Sequence, residues 1–148
     1  MKNKKGFTLI ELLVVIAIIG LLSTLAVVSL NSARSKARDA RRTSDIRQIQ
    51  TALDMYYNDQ GEYPTEASVV NLGSTADSTL SSTNGFAATA AGTPYMASVP
   101  GDPQSTDQEY EYTSVDGSTY TIDFTLENTN SSWNCTDCQA APGSITAQ

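Results

Sequence analysis

From Phe7 to Leu30 the chain runs for 24 residues with one charge, Glu11, among apolar or small side chains. A helix rising about 1.5 Å per residue would carry this run about 36 Å, more than the ~30 Å hydrocarbon core of a bilayer. A secretory signal has a shorter apolar core followed by a small-residue cleavage site, so a retained membrane helix fits better. No proline occurs before Pro64, and helical spacing continues past the apolar run. Ala26, Leu30, Ala33, Ala37, Ala40 and Ser44 recur at steps of three and four, a stripe suited to close helix–helix approach. The pattern then changes phase. Ile46, Ile49, Leu53 and Tyr56 make a bulkier stripe roughly 120° around the helix, suited to packing on a sheet. Asn58-Asp-Gln-Gly61 before Tyr63-Pro64 predicts the helix end, with Gly61 as its cap. One helix of about 50 residues results, its first half apolar and its second half amphipathic.

Residues 66–94 are rich in Ser, Thr, Ala and Gly and read as a long connecting loop with at most a short helical turn. Strand patterns come late. Tyr110–Val115 and Tyr120–Glu127 both alternate, and Asp116-Gly117 between them signals a hairpin. Tyr120, Ile122, Phe124 and Leu126 form an apolar face that needs a cover, and the Ile46–Tyr56 stripe supplies one. Met96–Val99, or the segment near Ile145, is the candidate third strand. The expected class is α+β: a long N-terminal helix, half in lipid and half lying on a small antiparallel sheet. The partition is a short cationic segment at 1–6 (the leader, on the family resemblance given below), a membrane helix at 7–30, its amphipathic continuation at 31–61, and a head at 62–148 with a connecting loop at 66–94 and sheet over about 96–138.

Charge sharpens this picture. Residues 1–47 hold all nine basic residues and three acids, a net of +6, whereas residues 48–148 hold thirteen acids and no Lys or Arg, a net of −13. A head that acidic does not track a phosphate backbone, so nucleic-acid binding is not expected of it. The absence of histidine removes His-based triads, His general bases and nearly all catalytic zinc sites. No nucleophile–base pairing is visible, and no enzyme activity is expected.

Glu11 remains to be explained, since a carboxylate within an apolar membrane helix wants a partner. Lys4-Lys5-Gly6-Phe7-Thr8-Leu9-Ile10-Glu11 resembles the processing site of type IV prepilins and pseudopilins: a basic leader ending in Gly, then Phe, then an acid four residues on inside an apolar helix. The resemblance covers residues 2–30 at motif level. It extends more loosely to Pro64, because Asp54–Pro64 looks like the helix exit of major pseudopilins. It implies a pilin-like fold, cleavage between Gly6 and Phe7 by a membrane-embedded prepilin peptidase, and N-methylation of Phe7. A cationic amine would then sit four residues from Glu11, and one subunit's Glu11 would satisfy the next subunit's Phe7 amine, setting an axial register where unpaired charge is expensive. Such a contact is heterologous and does not close, so it builds a helical filament. The partners implied are further copies, other pilins or pseudopilins, and an inner-membrane assembly platform with a cytoplasmic ATPase, with membrane lipid around the helix before assembly. The location implied is the inner membrane, single-pass, with the C-terminal domain extracytoplasmic, and then a periplasmic or extracellular filament. The chain departs from many pilins in having no Pro in the apolar stretch, where Gly20 is the soft point. Six basic residues after the span also run against a bare positive-inside count. The competing reading is a membrane-anchored extracytoplasmic binding or adhesion module that does not polymerise.

Three other constellations stand out. Arg34, Lys36, Arg38, Arg41, Arg42 and Arg47, with Asp39 and Asp45 among them, read as a solvated, partly self-paired helix face, or as a basic collar that attracts the acidic heads of neighbours or anionic lipid. Cys135-Thr-Asp-Cys138 lies in what reads as a loop, with too few ligands for zinc, and is a candidate disulfide pinning the tail. Major pseudopilins commonly hold calcium in a loop between strands, which makes Asp107, Glu109 and Asp116, with Asp102 and Glu111 nearby, weak candidates for such a site; no other cofactor is expected.

Overall fold

The computed structural model describes residues 7–104, 109–129 and 133–147. The chain divides into two compact units, Met1–Ser35 and Lys36–Gln148. A single helix, α1, covers Leu9–Gln60. Its N-terminal part is long and apolar enough to cross a membrane, and its large side chains there are all exposed, from Leu9 to Leu30.

In the second unit α1 turns its bulky stripe inward. Ile46, Ile49 and Leu53 are fully buried and Tyr56 nearly so, and they join Tyr110, Tyr112, Tyr120, Ile122, Phe124 and Leu126 in one core. Burying each aliphatic side chain contributes about 1.5–3 kcal/mol. Ala37, Ala40 and Ser44 of the small stripe stay exposed. The helix stops where the sequence demands: Gly61 has φ +79° and donates its N–H to the Tyr57 carbonyl at 2.8 Å.

The main sheet is antiparallel with five strands in the order β1-β5-β6-β7-β8: Glu66–Leu72, Tyr110–Ser114, Thr121–Thr125, Asp137–Ala141 and Ser144–Ala147. A second sheet, in the order β3-β2-β4, is built from Gly85–Ala87, Thr79–Ser81 and Pro94–Met96. The expected β5–β6 hairpin is present, with Tyr112 opposite Ile122, although a six-residue connection (115–120) replaces a tight two-residue turn.

Residues 66–94 are not the plain loop their composition predicts. They hold β1 to β3 and the start of β4. Val70 and Leu72 alternate inward on β1, and Leu80 and Phe86 close the core from the second sheet. Ser81 is buried because its hydroxyl bonds Asn84 and accepts the Ala91 N–H, so a polar residue fills a position that normally advertises itself as apolar. Met96–Val99 does not extend the main sheet, since only Met96 lies in a strand and that strand pairs with β2. The sheet instead grows past residue 138 through β7 and β8, which includes Ile145. Gln50 holds that terminal hairpin to the helix, donating to the carbonyls of Ala141 at 2.9 Å and Ser144 at 3.2 Å.

Candidate functional site

The apolar helix opens with a reciprocal cap. The Thr8 N–H and hydroxyl donate to Glu11 Oε2 at 2.8 and 2.6 Å, and the Glu11 N–H approaches Thr8 Oγ1 at 3.3 Å. This is the Thr-x-x-Glu capping box, which satisfies helix-start donors that otherwise have no partner. The spacing was in the sequence, but the resemblance drew attention to Glu11 alone. Phe7 precedes the cap and is exposed, while Gly6 lies outside the described residues. The helix therefore starts two residues after the expected cleavage bond.

The second constellation is a buried charge cluster in the head. Arg42 is fully buried, and five acceptors surround its five N–H groups. Asp102 takes Nε at 2.6 Å and Nη2 at 3.1 Å, Asp39 and Glu127 each take Nη1 at 2.9 Å, and Gln104 takes Nη2 at 3.3 Å. Arg38 makes a second two-pronged contact to Glu127. Asp39 in turn accepts the backbone N–H groups of Glu127 and Asn128 and the Asn128 amide. The cluster thus joins α1 to the segment before residue 105 and to the segment after β6.

Backbone geometry brings Asp102 there. Gly73, just after β1, has φ +77°, and a Cβ on it would lie 2.4 Å from Gly101 Cα. Only glycine lets the two backbones pass so closely, and Asp102 comes directly after.

Burial opposes the charge of Arg42, but its bonds to Asp102 and Glu127 outweigh that and hold the guanidinium more firmly protonated than usual. The Arg38 hydrogen bond leads in holding the Glu127 carboxyl down to about 2. Burial pushes the Asp45 carboxyl up, against Arg41 at 3.7 Å and the Tyr110 hydroxyl, which donates to it at 3.3 Å.

The solvated face expected for residues 34–47 is therefore only half correct. Arg34, Lys36, Arg41 and Arg47 are exposed, whereas Arg42 is internal and Arg38 is partly covered. The i,i+3 spacing of Asp39 and Arg42 hid this, because it looks the same on a surface pair.

The calcium candidates are scattered. Asp102 is committed to Arg42, and Asp116 accepts the Ser118 N–H and hydroxyl at 3.0 and 2.7 Å, capping its own turn. Glu109 and Glu111 are exposed, and Asp107 lies outside the described residues. Among the described residues no group of three or more acidic or thiol side chains is placed to hold a metal. Cys135 and Cys138 are joined by a disulfide, with Cys138 on β7 rather than in a loop. A concavity of about 410 Å³, lined by residues that include Arg47, Gln50, Asp54, Trp133 and Ile145, is an open groove.

Residues 1–27 match the family described as the prokaryotic N-terminal methylation motif, and residues 29–130 match type II secretion system (T2SS), protein G. Type II secretion system core protein G of Escherichia coli (strain K12) is 46% identical over 63 residues, covering 43% of each chain. The protein of the same name from Aeromonas hydrophila is 44% identical over 64 residues, 43% of this chain and 45% of its own. Type IV wide pilus major component PilA4 of Thermus thermophilus is 40% identical over 74 residues, 49% of this chain and 56% of its own. The chain spans about half the length of the curated relatives it matches. No solved structure matches at a significant level. With a methylation motif at its start and the protein G pattern across residues 29–130, the chain belongs to the type II secretion system protein G family.

Proposed function

We propose that this chain is the structural subunit of a type IV pilus-like filament, anchored in the inner membrane by residues 7–30 before assembly, with the head extracytoplasmic. Prepilin peptidase cuts between Gly6 and Phe7, and the new amine at Phe7 is methylated. Glu11 of one subunit then accepts the Phe7 ammonium of the next. The observation that carries this reading is the single carboxylate, four residues beyond Phe7, in the otherwise apolar and exposed stretch from Phe7 to Leu30. In a low-dielectric bundle an unpaired charge is penalised by several kcal/mol, so the pair that neutralises both groups also selects one axial offset. The family membership and the pilus relative support the same conclusion. Other pseudopilins, the assembly platform and its ATPase are the proposed partners, and no catalytic role is assigned.

The test is the mature N-terminus together with one substitution. Protein purified from filaments should begin at methylated Phe7 by mass spectrometry, and Glu11→Ala should abolish filaments while leaving the protein in the membrane. Filaments built from chains that keep residues 1–6, or a normal yield from Glu11→Ala, would overturn the proposal.

A further inference from the structure

Directly after Leu30 the helix changes character. Asn31-Ser-Ala-Arg34-Ser-Lys36 is polar and basic, and no acid stands between Glu11 and Asp39. These six residues are exposed, apart from a partly covered Ser35. Asp39 offers them no counter-charge, since it is buried and bonded to Arg42 and to the N–H groups of Glu127 and Asn128. The next two arginines along the helix are also engaged, Arg38 by Glu127 and Arg42 by Asp39, Asp102 and Glu127. Among the described residues neither Arg34 nor Lys36 joins an ion pair. Two uncompensated cations therefore follow directly on a stretch long and apolar enough to cross a membrane.

Their positions on α1 define what they can reach. At about 1.5 Å per residue, Arg34 lies about 6 Å and Lys36 about 9 Å past Leu30. The headgroup layer of a bilayer extends about 5–8 Å beyond the hydrocarbon core on each side. Side chains on a helix lean toward its N-terminus, here toward the apolar stretch, so both cations lean back to that layer. Their long stems cover apolar surface while the charged ends stay at the level of the phosphates. Two residues on a helix correspond to about 200° of rotation, so Arg34 and Lys36 face opposite sides. Opposed cations suit a ligand that surrounds the helix, and they do not make one patch for a single protein partner. Arg41 and Arg47 are exposed as well, but they lie about 16 Å and 25 Å past Leu30, beyond the headgroups.

We infer that Arg34 and Lys36 bind the phosphate headgroups of anionic lipids at the end of the membrane span. The inference rests on the membrane-anchored stage of the reading above and adds a lipid preference to it. Of the six basic residues that follow the span, two are then neutralised by lipid and two by the chain's own acids. A subunit leaving for a filament has to break the lipid contact, so anionic lipid holds the membrane-resident form, and salt weakens that hold.

The test uses the full chain in phosphatidylcholine vesicles that carry a trace of spin-labelled phosphatidylglycerol or spin-labelled phosphatidylcholine. The motionally restricted part of each spectrum gives the association of that lipid with the protein. Labelled phosphatidylglycerol should associate about twofold or more strongly than labelled phosphatidylcholine, and 1 M salt, with a Debye length of about 3 Å, should remove most of the preference. Arg34→Gln/Lys36→Gln should bring the ratio to about one. The charge-conserving Arg34→Lys/Lys36→Arg and the more distant Arg41→Gln/Arg47→Gln should keep the wild-type ratio. Glutamine is a good helix former, and far-UV circular dichroism checks that each variant keeps its fold. An unchanged ratio in Arg34→Gln/Lys36→Gln, or an equal loss in Arg41→Gln/Arg47→Gln, would overturn the lipid contact. An unchanged ratio combined with lost filaments in Arg34→Gln/Lys36→Gln would assign the pair to the acidic heads of other copies and overturn it as well. A chain that alkaline carbonate washes off the vesicles would refute the membrane anchor itself, whereas an inserted chain without lipid preference would refute only this contact.

Discussion

Arg42→Met puts the buried cluster to its hardest test. Methionine keeps most of the side-chain volume and removes the charge, so Asp102 and Asp39, only 2% and 9% exposed, lose the guanidinium that compensates them. Breaking one side of a buried ion cluster typically destabilises by about 3–5 kcal/mol, against a total of about 5–15 kcal/mol for a domain. With a urea slope of about 1–3 kcal/mol per molar, the unfolding midpoint of the full-length protein in detergent should fall by roughly 2 M. Arg38→Met is the control. Its side chain is 31% exposed and, among the described residues, its ion pair is with Glu127, so its midpoint should move by only a small part of that. The pH response of the Arg42 variant should also carry a distinctive sign. A buried carboxylate without a cation prefers its proton, which raises its folded pKa above the unfolded one, so the variant should regain stability as pH falls through that raised value. Adding Asp102→Asn to Arg42→Met should recover part of the loss at neutral pH, because the orphaned charge is gone. A midpoint shift below about 0.5 M, or an equal shift in Arg38→Met, would refute the account of the cluster as a charge-compensated clasp.

The same region supports two further tests. The Glu127 carboxyl is held down to about 2 from 4.5, a depressed value, so its contribution is full above about pH 4.5 and disappears as pH falls toward 2. Glu127→Gln should lose roughly 1–3 kcal/mol at neutral pH, and its melting temperature should decline less steeply than wild type across that window; parallel curves would contradict this. Gly73→Ala forces a Cβ to within 2.4 Å of Gly101 at a φ of +77°, and should destabilise by roughly 2 kcal/mol or more. Since it displaces Asp102, its effect should overlap with that of Arg42→Met, and simple additivity in the double variant would rule out the shared cause.

Periodicity revealed the helix, its phase change and its end, because Ile46, Ile49, Leu53 and Tyr56 face one continuous surface and Gly61 has no rival as a cap. It also revealed the β5–β6 hairpin, where five alternating residues lie on each side of the connection. Strands β1 to β4 stayed hidden for a physical reason. Three of them have only three residues, too few to establish a period, and buried Ser81 relies on hydrogen bonds instead of apolar bulk. The Arg42 cluster was invisible in a different way. Its partners lie 60 and 85 residues away, and nothing local distinguishes an arginine bound for the interior from one bound for water. Glu11 was conspicuous because a charge in an apolar run is expensive anywhere, whereas its bond to Thr8 needed the folded helix start to be seen.

On the filament reading proposed above, that bond bears on how a subunit would enter and leave a fibre. Thr8 places both of its donors on one oxygen, Oε2. A carboxylate has lone pairs on a second oxygen as well, so Glu11 can take in a visiting ammonium without releasing its own helix. If it does, docking requires no local unwinding, and a departing molecule leaves with its end already wound for another round.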